Sequence, residues 1–124
     1  MRVLDHPVHP ILVHFPIAFW SLATVCDVCA LFGLTQVWIN SLIFLSLGLG
    51  LAVPAMLAGL IDLAGLEDAA TRDGNRHMFL MSAAWTFYLG ALLTRLDGKT
   101  PMLEIQPLSV VLGGMGFIVL ALGG

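Results

Sequence analysis

Charge is what this sequence has least of. Only 10% of its 124 residues are Asp, Glu, Lys or Arg, against about 25% in a soluble domain of ordinary composition. That scarcity excludes both a soluble globular domain and a disordered chain. Basic residues are the rarer sign, 5 against 8 acidic for a net charge of −3, and they form no run, so a nucleic-acid footprint is excluded as well. The two cysteines, Cys26 and Cys29, lie inside the first apolar stretch and say little about redox compartment. Nucleotide-binding glycine loops, serine-nucleophile motifs and carboxylate pairs suited to hydrolysis are all missing.

What remains is apolar, 59% of the residues. Four stretches approach the roughly 20 apolar residues that cross a bilayer. The expectation is one all-α domain over 1–124, a four-helix transmembrane bundle with helices at about 10–32, 37–61, 77–94 and 103–122. The first stretch is too long for the apolar core of a cleaved signal peptide and reads as a permanent helix. Pro16 and Pro54 fall inside helices, where the missing N–H and the ring should bend the chain. The polar run from Asp62 to Arg76 reads as a solvated connection.

Four crossings put Arg2, Arg72 and Arg76 on one side of the membrane and Arg95 and Lys99 on the other, which leans only slightly towards cytoplasmic termini. Gly48, Ala52, Ala55 and Gly59 make a stripe of small residues along the second helix, and Gly113, Gly114 and Gly116 mark the fourth. Such residues let membrane helices approach closely, or leave space for a flat cofactor. The glycine-rich faces on so small a chain predict a homodimer or larger assembly. No internal repeat is evident in the sequence.

The four histidines, His6, His9, His14 and His77, all fall at one face of the membrane, and Asp62 joins them. An ionisable side chain within a span is expensive and points to function. Imidazole is a good ligand for iron, copper or zinc, and a four-helix core is an established place for a cofactor. Helices one and three run in the same direction, so His14 and His77 fall at comparable depth. Small residues follow each on its own helical face. This reading makes His14 and His77 axial ligands of a b-type haem, with Arg72 and Arg76 pairing with its propionates. A non-haem Fe, Cu or Zn site built from His6, His9, His14, His77 and Asp62 is the alternative. A structural subunit whose polar groups only anchor helix ends is the third reading. Asp27, near the opposite boundary, reads as solvated or bonded to a neighbouring helix.

The run HPVHPILVHFPIAF at residues 6–19 resembles the signature of a bacterial family of small four-helix membrane proteins of unknown function. AGLIDL at 58–63 resembles the family's second motif, with Asp62 as its acidic residue, and His77 matches the histidine opening the third helix. Relatives often carry asparagine where this chain has Met81. The resemblance covers the whole chain and implies a multi-pass protein of the bacterial inner membrane. Relatives fused to Rieske-type or cytochrome c domains imply electron transfer, with a redox partner of one of those types.

Overall fold

The computed structural model describes residues 2–3, 6–64, 68–97, 100–101 and 103–123, and the side chains of 10–64, 71–96 and 103–123. The chain begins with a two-residue antiparallel pair, β1 (Arg2–Val3) with β2 (His6–Pro7), which leads into α1 (Val8–Leu31). A single 3-10 turn (Thr35–Val37) connects α1 to α2 (Trp38–Leu63). After α3 (Asp68–Leu93), a second such pair, β3 (Leu96–Asp97) with β4 (Thr100–Pro101), precedes α4 (Pro107–Gly123). The architecture is the expected all-α bundle.

Local chemistry sets several boundaries. α1 ends in a Schellman motif: Leu34 N–H donates to the Cys29 carbonyl and Gly33 N–H to that of Ala30, both at 3.1 Å. Gly33 holds the φ of +103° that this motif requires and a side chain would resist. Pro107 opens α4 at the position where its missing N–H costs nothing. Pro16 and Pro54 lie inside continuous helices.

One boundary differs sharply from expectation. α3 starts at Asp68, not near His77, so most of the polar run read as a connection is helix. Residues 68–76 hold no proline to break a helix. Low hydropathy there reports exposure to water, not loss of helix.

α1 packs most extensively on α2, and α3 on α4, so the fold is two helical hairpins side by side. α1 and α3 lie on the diagonal and meet through long side chains: the Trp20 and Tyr88 rings stack with centroids 4.9 Å apart, and Thr24 Oγ1 lies 3.0 Å from Tyr88 Oη. The small-residue stripe of α2 is spent inside the bundle. Gly48, Ala52, Ala55, Ala58 and Gly59 are all buried, and so are Gly113 and Gly116 of α4. These faces are therefore not the outward surface on which self-association was expected.

The two hairpins repeat one another with an offset of 68 residues, the separation of Asp27 and Arg95. Ser41 donates to the Ala23 carbonyl at a separation of 18 residues, and Ser109 donates to that of Ala91 at the same separation. Ser41 bonds Asp27 across 14 residues, and Ser109 accepts from Arg95 across 14. Gly48 lies against the Trp20 ring and Gly116 against the Tyr88 ring. Across the interface between hairpins, each equivalent pair meets itself: Trp20 on Tyr88, Asp27 on Arg95. An approximate two-fold axis thus runs along the bundle, relating α1 to α3 and α2 to α4. It escapes residue-by-residue comparison because pairs meeting on the axis are complementary, not identical. An aspartate facing another aspartate would repel it; facing arginine, it is neutralised.

Two stretches are long and apolar enough to cross a membrane, Pro10–Leu31 and Thr35–Leu63. Pro107–Gly123 is apolar but shorter, at 17 residues. α3 has the length, with a polar first two turns.

Candidate functional site

Polar groups gather at both ends of the bundle, and the two ends differ in chemistry. At one end, His77 stands on the inward stripe of α3 that continues through Met81, Ala84, Tyr88, Ala91 and Arg95. Its imidazole is half-buried, and Nδ1 lies 2.7 Å from the carbonyl oxygen of Gly123, at the end of α4. A carbonyl only accepts, so Nδ1 carries the proton, and in the neutral ring Nε2 is the nitrogen with the lone pair. Gly123 packs closely on α3: a Cβ there would press on the terminal methyl of Met81 and on Leu80 Cβ.

His77 lines a small apolar recess of about 30 Å³ between α1, α2 and α3. Val13, Pro16 and Trp20 close it from α1; Ala52, Ala55 and Met56 from α2; Met78 and Met81 from α3. Trp20 also carries, in its indole N–H, the one buried side-chain polar atom among the described residues without a hydrogen-bond partner. On the outer side of the same histidine, Asp62 and Asp73 line a second recess with Gly59 and Gly74. Arg76 lines a third, with Leu122 and Gly123.

His14 stands apart from this group. It is exposed on α1, its Nδ1 turned to the carbonyl of Pro10 one turn back, and it does not line the recess. The α1 residues that do are Val13, Pro16, Ile17 and Trp20. His14 and His77 are therefore at one end of the bundle but in no common recess within one chain. Arg72 is exposed one turn before Arg76 and lines none of these recesses. The side chains of His6 and His9 lie outside the described residues; their backbones belong to β2 and α1. Among the described residues, no group of three or more His, Cys, Asp or Glu is arranged to hold a metal ion.

At the opposite end, all four helices are tied by one buried network. Asp27 of α1 pairs with Arg95, just beyond α3, at 2.6 Å between Oδ2 and Nη2. Arg95 is 1% exposed and Asp27 3%. Arg95 Nη1 donates to Ser41 Oγ of α2 at 2.8 Å and Nε to Ser109 Oγ of α4 at 2.6 Å. Ser41 donates to Asp27 Oδ1 at 2.5 Å, and the guanidinium lies 3.9 Å from the centroid of the Trp38 ring. Each nitrogen of the guanidinium and each oxygen of the carboxylate thus has at least one partner. Sequence reading placed Asp27 near a boundary and Arg95 at a helix end, without joining them. Ser41, Ser109 and Trp38 were missed. The usable signal was the repeated Ala-x3-charge step, Ala23 to Asp27 and Ala91 to Arg95, each followed by a serine at equal spacing.

This clasp and the histidine recess sit on a chain whose residues 5–124 match the pattern of one family, Predicted membrane protein (DUF2231). The chain belongs to that family. Its helical hairpins and apolar surface agree with the family's description, and the protein sits in a lipid bilayer. Neither a curated protein nor a solved structure matches it.

Proposed function

We propose that this DUF2231 member is a four-crossing inner-membrane electron-transfer protein that holds b-type haem at the histidine-bearing end of its bundle. The observation that carries the reading is the state of His77. Its Nδ1–H is held by a backbone carbonyl, the arrangement that fixes the tautomer and ring orientation of a ligating histidine. The lining is apolar, and a macrocycle would have to widen the recess by moving side chains: Ala52, Ala55 and Pro16 are short or flat, and Met56, Met78 and Met81 can change their shape. Arg76, next to His77 in sequence, would pair with a carboxylate of the bound group, with Arg72 one turn before it; Arg76 lines the neighbouring recess, not the apolar one.

When bound, haem supplies reversible one-electron exchange at iron. The chain's own residues hold the imidazole, exclude water from the recess and fix the helices around it. The electron partner in this reading is a Rieske-type or cytochrome c-type protein. A non-haem site from the same histidines with Asp62 is the competing reading.

The test is an absorption spectrum of detergent-purified protein, produced with ample haem and iron, oxidised and reduced, with metal analysis of the same sample. A Soret band that shifts on reduction is expected. Its absence sinks the haem reading, and stoichiometric Fe, Cu or Zn without it establishes the non-haem one.

A further inference from the structure

On the outer side of the histidine recess, α2 and α3 leave a second apolar space. It is an open groove of about 370 Å³, lined by Val53, Leu57 and Leu60 of α2 and by Ser82 and Trp85 of α3. The three α2 side chains are exposed, so in a bilayer the groove opens to hydrocarbon. Met56 and Met78 line both this groove and the small recess at His77. Those two side chains are the partition between the spaces, and methionine, unbranched with three rotatable bonds, is readily displaced. A hydroxyl interrupts the apolar lining. Ser82 stands five residues after His77, about 7.5 Å further along α3. Its hydroxyl has no hydrogen-bond partner among the described residues, whereas Ser46, Thr86 and Thr94 each close theirs on a carbonyl of the preceding turn. An unpaired hydroxyl in hydrocarbon is costly. An acyl chain in the groove leaves it unpaired; a ligand bearing a carbonyl satisfies it. Trp85 beside it is held in place, its indole N–H donating to the Leu49 carbonyl at 3.3 Å.

We propose that this groove binds a lipid-dissolved quinone, its flat ring against Trp85, one carbonyl accepting from Ser82, and its apolar tail lying past Val53. A serine hydroxyl donates to the carbonyl of the oxidised form and accepts from the hydroxyl of the reduced form, so one residue serves both. Displacement of Met56 and Met78 joins the groove to the recess and gives the bound ring access to His77. As an electron partner the quinone rests on the electron-transfer reading; its binding does not, and is read by a signal independent of haem.

Full-length protein in nanodiscs, photolabelled with an azido-benzoquinone carrying a decyl chain and mapped by mass spectrometry, tests this, with plain decyl-benzoquinone as competitor. Label concentrated on 53–60 and 78–85 is expected. Apparent affinity falls about fivefold in Ser82→Ala, the worth of one neutral hydrogen bond, and is kept in Ser82→Thr. Ser21→Ala, which removes a hydroxyl from a groove between α1 and α4, leaves it unchanged. Val53→Trp fills the groove from its exposed side and abolishes the label while the thermal midpoint holds. Label spread evenly over the lipid-facing helices, or unchanged by Ser82→Ala, overturns the inference. Competition by decane as strong as by the decyl-benzoquinone also overturns it and makes the groove an acyl-chain site. A Soret band without this label removes the quinone and leaves the haem reading standing; the label without a Soret band does the reverse.

Discussion

Asp27 and Arg95 are almost without water, so each depends on the other for its charge. A buried ion pair is weak evidence of net stability, because the Coulombic gain only offsets desolvation. Removing one partner is another matter. Asp27→Ala leaves a guanidinium buried among Ser41, Ser109 and Trp38, and the expected loss is about 3–5 kcal/mol, seen as a large drop in thermal midpoint in detergent. Replacing both with apolar residues of similar volume should cost much less. The two-fold adds a sharper expectation: exchanging the charges, Asp27→Arg with Arg95→Asp, recovers most of what either single reversal loses. Each residue then occupies its partner's equivalent surroundings, with a serine 14 residues on. The exchange forgoes the contact with Trp38, about 2 kcal/mol for a pair shielded from water. An exchange no better than either single reversal would count against the repeat.

The helices associate through contacts that tolerate no extra methyl group. A Cβ at Gly48 would lie 2.6 Å from Cδ1 and 2.7 Å from Nε1 of Trp20, and one at Gly116 would lie 3.0 Å from the Tyr88 ring. Both rings are buried in the central stack, so neither moves freely. Gly48→Ala and Gly116→Ala are each expected to destabilise by about 1–3 kcal/mol, with Gly48→Ala the worse. Gly50→Ala, on the same helix with open space around it, is the control and should be neutral or stabilising, since alanine favours helix. Unfolding curves of the three variants in one detergent test this. Equal effects at positions 48 and 50 would show that propensity, not the approach of α1, decides.

For the whole molecule, two helices are long and apolar enough to cross a membrane, and the proposed function has all four crossing. α2 then returns to the side on which α1 began, and α4 to the side of α3's start. Single cysteines at exposed positions, in a chain lacking Cys26 and Cys29, test it. Labels at Ala64 and Arg72 should react from one side of the membrane, and labels at Gln36 and Glu104 from the other. Labelling of position 104 together with position 72 would remove α3 as a crossing.

Much of this was legible in the residues. Low charge and four apolar stretches determined a helical membrane bundle, because backbone groups in lipid must be satisfied within the segment. That His14 and His77 fall at one end of the bundle followed from topology alone. The start of α3 was not legible, since polar residues continuing a helix into water look the same as a loop. Nor was the separation of His14 from His77. Equal depth follows from counting residues, but which side of a helix faces a neighbour depends on the packing of all four. The clasp and the two-fold were decided only by tertiary structure. Asp27 and Arg95 are 68 residues apart, and nothing local says that an acid and a base will share one buried site. The symmetry shows itself in what touches what, because a two-fold axis brings equivalents into contact and selects complementary side chains there in place of matching ones.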